Sequence, residues 1–161
     1  LALKGSETRL ERVRIAAKMR EPHEHEYFDE FVRPHLGDDV VYLGELGATE
    51  KRNLLAGAAA LLNPISWPEP FGMAMVEAMA CGTPVVGCPQ GAAPEIVVDG
   101  VTGYLSDDDD ELVSGLRALH LIDRGACRQR IADCFSVERM VEGHLRVYEQ
   151  QRAAASQGWG R

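Results

Sequence analysis

No GxGxxG follows the first apolar run of this 161-residue chain, which argues against a dinucleotide-binding oxidoreductase domain. Cys81, Cys88, Cys127 and Cys134 never fall in CxxC spacing, and tetrahedral zinc sites want closely paired ligands, so reduced, structural cysteines are expected. No Lys/Arg cluster recurs on one helical face. With 17 basic against 25 acidic residues and a net charge of −8, nucleic acid is a poor partner. The apolar runs fall short of a membrane span and the N-terminus lacks a signal-peptide pattern, so a soluble cytoplasmic setting is expected and membrane contact is not. Ser66 has no GxSxG context that would make it a nucleophile. There is no internal repeat, and the length suits one domain or one half of a larger enzyme.

What is present is an alternation of short apolar runs with helix-period segments, the pattern of a parallel sheet with crossover helices. Strands are expected at "VRIAAKM" (13–19), "DVVYLG" (39–44), "AALLNPI" (59–65), "TPVVGC" (83–88) and "TGYLS" (102–106). Helices are expected at about 24–33, 49–57 and 72–81, with a short turn near 94–97. After Asp107 the apolar residues recur every three or four positions, which predicts consecutive helices. Thr49 and Ser136 read as N-caps and Gly82 as a C-terminal glycine. The fold class is therefore α/β, a Rossmann-like parallel sheet with helices on both faces. In such sheets ligands bind beyond the carboxyl ends of the strands, which directs attention to "REPHE", "GELGATE", "SWPEPFG" and "PQGAAPE".

From Phe71 to Cys81 every side chain is apolar or absent except that of Glu77. Glu69, between Pro68 and Pro70, is held extended just ahead of the helix, because a residue preceding proline is pushed out of the helical region. Phe71 and Gly72 open a helix whose first amides lack intrahelical partners and suit a phosphate. Glu77 shares a stripe with Met73 and Ala80, on a helix expected to be buried all round. A buried carboxylate needs donors, either backbone amides of a neighbouring loop or a ligand with vicinal hydroxyls. The second choice suggests a nucleotide diphosphate with its phosphates at the helix start, its ribose at Glu77 and its other end near Glu69.

The segment "EPFGMAMVEAMACGTPVVG" (69–87) resembles the signature of the retaining glycosyltransferases of family 4, formerly group 1. Further similar stretches follow in order: "VVYLGEL" (40–46), "LLNPISW" (61–67), "GAAPEIVVDGVTGYL" (91–105) and "FSVERMVEGHLRVYE" (135–149). The resemblance implies the C-terminal, donor-binding domain of a GT-B enzyme whose substrate is a nucleotide-diphosphate sugar, with no cofactor and no metal. It implies Glu69 as the residue contacting the transferred sugar at the catalytic centre and Glu77 as the ligand of the ribose hydroxyls. Phe71, Gly72 and Met73 would serve sugar and diphosphate through their backbone, and Leu46, beside Glu45, would lie by the nucleobase. Glu95 matches a family position near the donor, although an acid in a first helical turn after Pro94 explains it equally. Lys18, at the end of the first predicted strand, is the cation best placed to meet phosphate. Family members carry an Arg and a Lys in a "GR…KG" segment; Lys4 and Gly5 offer only a "KG", too close to the first predicted strand for the usual intervening helix.

Residues 1–150 are thus expected to form the donor-binding domain and 151–161 a frayed tail, with the N-terminal acceptor domain absent from this chain and a homodimer possible. Epimerases or phosphorylases of the same architecture, and a non-catalytic module retaining the fold, are the alternatives. "DDDD" (107–110) reads as an N-cap and first-turn run rather than a metal site. His23 and His25, among glutamates at a helix start, read as a solvated face.

Overall fold

The computed structural model describes the backbone of residues 2–6 and 9–158 and the side chains of residues 12–155. Six strands form one sheet: β1 (Ala2–Ser6), β2 (Arg9–Ile15), β3 (Val40–Tyr42), β4 (Ala60–Asn63), β5 (Val85–Gly87) and β6 (Gly103–Leu105), in the order β3-β2-β1-β4-β5-β6. Helices cover both faces, as the alternating pattern requires. They are α1 (Pro22–Tyr27), α2 (Ala48–Ala56), α3 (Met73–Ala80), α4 (Ala93–Ile96), α5 (Asp109–Arg117), α6 (Arg124–Cys134) and α7 (Val137–Gly158).

The sheet departs from all-parallel pairing at its centre. β2 pairs with β3, β4 with β5 and β5 with β6 in parallel, whereas β1 runs antiparallel to both β2 and β4. Only residues 7 and 8 lie between β1 and β2. A parallel crossover needs a dozen or more residues, so this short link permits a hairpin alone. Lys4 and Gly5 sit in β1, where the register slips by one residue between them as at a β-bulge. Because β1 is antiparallel to both neighbours, β2 and β4 are parallel to each other. The carboxyl ends of β2 to β6 therefore share one edge of the sheet.

The core lies around β4 and β5, where Leu61, Val85, Met75, Ala78, Met79, Ile96 and Cys127 are buried together. α3 contributes Met75, Ala78 and Met79 from one face, the three-and-four spacing that places side chains on one stripe. Gly82, with φ +77°, ends that helix as the sequence predicts. Under the other half of the sheet Phe28 stacks on Tyr42 at 4.6 Å, with the Arg33 guanidinium over the Phe28 ring. The segment from α1 becomes a π-helical turn at Phe28–Val32 and a 3-10 turn at Arg33–His35, so the expected helix at 24–33 is broken near Pro34.

Arg124 ties α6 to the end of α2. It donates to the carbonyls of Ala58 (2.8 Å) and Ala56 (3.1 Å) and to Thr83 Oγ1 (2.9 Å), while Thr83 donates to Leu55 O (2.6 Å). The carbonyls of Ala56 and Ala58 lie at the end of α2 and its exit, where main-chain oxygens run out of helical donors. Arg124→Met should lower stability by about 2–3 kcal/mol, the scale of losing charge-assisted bonds to part-buried carbonyls. Urea denaturation measures this, and a loss near zero would show that water replaces the guanidinium.

Helix caps correct one expectation and bear out two. α2 starts at Ala48, and its N-cap is Gly47 rather than Thr49, because Glu50 reaches back to accept from Gly47 N at 3.0 Å. Ser136 Oγ accepts from Arg139 N at 3.3 Å as α7 begins. Asp108 caps α5 by accepting from Glu111 N at 3.0 Å, which gives the acidic run the capping role expected of it. α7 continues through "AAASQG" to Gly158, past the boundary expected at residue 150, and residues 159–161 lie outside the described residues. Val137, Met140, Val141, Leu145 and Tyr148 are exposed along it. Among the described residues, no helix is long and apolar enough to cross a membrane.

Candidate functional site

The loops leaving β2, β3, β4 and β5 meet the shared edge with the residues singled out above. After β2, Ala17 N donates to Gly44 O (3.1 Å) and the Tyr42 hydroxyl to Ala17 O (2.8 Å), which joins this loop to the one after β3. Lys18 and Glu45 form an ion pair at 2.5 Å across the two loops. Lys18 lies three residues beyond the observed end of β2, and in this state its ammonium is engaged by a carboxylate. Leu46 is half-buried in the β3 loop, one residue before the N-cap of α2.

The loop after β4 carries Glu69. Its main-chain oxygen accepts from Ala92 N at 2.9 Å, and its carboxylate accepts from Gly72 N at 3.3 Å, at the start of α3. Gly72 has φ +75°, a left-handed conformation that favours glycine, and a Cβ there would lie 2.2 Å from Met75 Cε, the end of a flexible side chain. Phe71 and Met73 flank it and are exposed, as is Trp67. The β5 loop presses on the same segment. Gly91, with φ +56°, sits so close that a Cβ would be 2.4 Å from both the nitrogen and the oxygen of Glu69. Glu95 is exposed in the first turn of α4, and its main-chain oxygen accepts from Arg130 at 2.6 Å.

Glu77 corrects the expectation of burial. It does share a stripe with Met73 and Ala80, but that stripe faces outward, and the Glu77 side chain is 31% exposed. An apolar helix is buried all round only if something covers each face. In this fold the core takes the Met75, Ala78 and Met79 face, with Val76 partly buried against it. Nor does the carboxylate await a ligand for its partner: Lys51 Nζ lies 2.7 Å from Glu77 Oε1. Lys51 was not among the residues singled out from the sequence. Its only signal was its place in the first turn of the helix that follows the "LGEL" loop.

Other polar groups have structural roles. The Glu24 carboxylate accepts from the backbone of Arg20 (2.6 Å) and Glu21 (2.9 Å), and these bonds hold its pKa below the usual range. It is thus a capping acid beside His23 and His25, which are not seen in a metal cluster. Among the described residues no three His, Cys, Asp or Glu side chains gather as metal ligands. Burial, reinforced by Asp107 and Asp109, pushes the Cys88 thiol up, and burial does the same to Cys127, so both hold their protons at neutral pH. All four cysteines are free.

A doubly wound α/β domain that gathers acids, two lysines and a helix start at its strand-end edge belongs to the class that binds ligands beyond the carboxyl ends of its strands. The chain belongs to the glycosyl transferases group 1, whose sequence profile matches residues 6–121. It is 36% identical over 135 residues to D-inositol 3-phosphate glycosyltransferase of Salinispora arenicola, covering 77% of this chain and 27% of that protein. It is 30% identical over 122 residues to N-acetyl-alpha-D-glucosaminyl L-malate synthase of Bacillus anthracis, covering 71% of this chain and 31% of that protein. The chain thus spans less than a third of the length of these curated relatives. Among solved structures it is similar to AviGT4, a glycosyltransferase involved in avilamycin A biosynthesis. The TM-score is 0.69 at 29% identity, over 89% of this chain and 44% of that one. HepE of Anabaena, solved in complex with UDP and glucose, is similar with a TM-score of 0.52 at 26% identity, over 76% of this chain and 39% of that one.

Proposed function

We propose that this chain is the donor-binding, C-terminal domain of a retaining, metal-independent family 4 glycosyltransferase that uses a nucleotide-diphosphate sugar and needs no cofactor. The observation that carries the reading is the placement of Glu69 and Glu77 about the start of α3, at the edge where the strand-end loops meet. Glu77 lies four residues past Met73, about 6 Å along the helix axis, which leaves a diphosphate's length between a ribose at Glu77 and the amides of the first turn. The ribose hydroxyls donate to Glu77, the diphosphate meets the amides at Met73, and the sugar reaches Glu69 beside Phe71 and Gly72. Leu46 faces the base, Glu95 stands near the donor from the β5 side, and Lys18 exchanges Glu45 for a phosphate oxygen.

As the leaving diphosphate gains charge, helix amides and Lys18 stabilise it, while Glu69 orients the sugar whose anomeric carbon becomes electron-poor. The acceptor site lies on an N-terminal partner domain, in keeping with relatives of which this chain covers less than a third. Titration calorimetry with UDP, GDP and ADP tests the reading. Weak, saturable binding of one nucleotide is expected, together with no sugar transfer by this chain alone. Failure to bind any of them would count against the donor site, and measurable transfer would overturn the assignment of the acceptor half elsewhere.

A further inference from the structure

The Lys51–Glu77 pair joins two elements that leave different strands. Lys51 belongs to the first turn of α2, and its backbone N–H donates to Gly47 O at 2.9 Å, directly after the loop that carries Leu46. Glu50 fixes that turn from the other side by accepting from Gly47 N. The Lys51 backbone is therefore held from both ends of the turn. Its ammonium reaches across to α3 and takes Oε1 of Glu77.

A carboxylate offers about four lone-pair sites, and an ammonium on Oε1 leaves Oε2 open. A half-exposed glutamate with no such partner samples several rotamers, and a vicinal diol needs one of them. We propose that Lys51 is a positioning residue for donor recognition: by holding Oε1 of Glu77 it sets the carboxylate in the orientation that accepts the two ribose hydroxyls. This rests on Glu77 being the ribose ligand. It adds that the loop-and-helix unit after β3 serves the ribose through Lys51 as well as the base through Leu46.

The test is calorimetric titration of the full chain with UDP, GDP and ADP, each beside its 2′,3′-dideoxy counterpart, for wild type, Lys51→Met, Lys51→Arg and Glu77→Gln. Lys51→Met should weaken binding of the preferred ribonucleotide about tenfold, the scale of one charge-assisted hydrogen bond, and leave the dideoxy form unchanged. Lys51→Arg, which keeps a donor within reach, should recover most of the loss. In a Glu77→Gln background Lys51→Met should cost nothing further, since residues acting through one another are not additive.

If Glu77→Gln loses the ribonucleotide while Lys51→Met binds as tightly as wild type or tighter, the positioning role is overturned and the ribose assignment stands. An equal loss for ribo and dideoxy forms in Lys51→Met would also overturn it, because a purely structural lysine would act that way. Should Glu77→Gln bind like wild type, or wild type bind none of the three, the ribose assignment itself falls and takes the proposal with it.

Discussion

Glu77→Gln should weaken binding of the preferred nucleotide about a hundredfold, while changing folding stability by less than about 1 kcal/mol. The two effects separate because the carboxylate is asked to do different things in the two states. In the free chain it makes one half-exposed ion pair with Lys51 at 2.7 Å, and pairs of that exposure contribute little. In the bound state two hydroxyls of one ribose would each donate to an anionic acceptor. A glutamine offers a single neutral oxygen, and its amide group presents hydrogens where an acceptor is needed. Calorimetry and thermal denaturation of the same preparation read both numbers. Unchanged affinity with a loss of several kcal/mol in stability would reverse the assignment and make Glu77 a structural bridge between α2 and α3.

Gly91→Ala should cost about 2–4 kcal/mol, more than any single polar contact at this edge. Its φ of +56° disfavours any side chain, and the added Cβ would meet backbone atoms of Glu69 at 2.4 Å, which cannot swing aside as a flexible side chain can. Gly100→Ala is the control, because Gly100 has φ +71° with nothing within 4 Å of the added atom. That variant should lose only the conformational part, about 1 kcal/mol. The difference between the two melting curves isolates the contact between the β4 and β5 loops. Gly91→Ala should also move the Glu69 backbone, which is held from the same side by Ala92 N at 2.9 Å. Affinity for a nucleotide sugar should consequently fall more than affinity for the bare nucleotide. Equal melting temperatures for the two variants would show that the loops part without cost.

Val137, Met140, Val141, Leu145 and Tyr148 form an exposed apolar stripe along α7. Contiguous apolar surface of this kind marks a contact site more often than a free face.

The sequence alone determined the alternation of strands and helices, and with it the α/β class and the edge where the acids gather. Period-two and period-3.6 patterning is a local property, and the capping roles of Asp108 and Ser136 are local for the same reason. It also placed Met73, Glu77 and Ala80 on one stripe of α3, because spacing along a helix fixes direction. Which way that stripe faced was not legible. Only the docking of Met75, Ala78 and Met79 against β4 and β5 turned Glu77 outward, half-exposed and within reach of Lys51, 26 positions away in the chain. The link to β2 is too short for a crossover and so sets the direction of β1, but its insertion beside β4 was decided by tertiary pairing. Gly91 read as one more loop glycine, and its contact with Glu69 exists only once two loops from neighbouring parallel strands are brought to the same edge. Spacing settles what lies along one element, whereas contacts between elements depend on how sheet and helices pack.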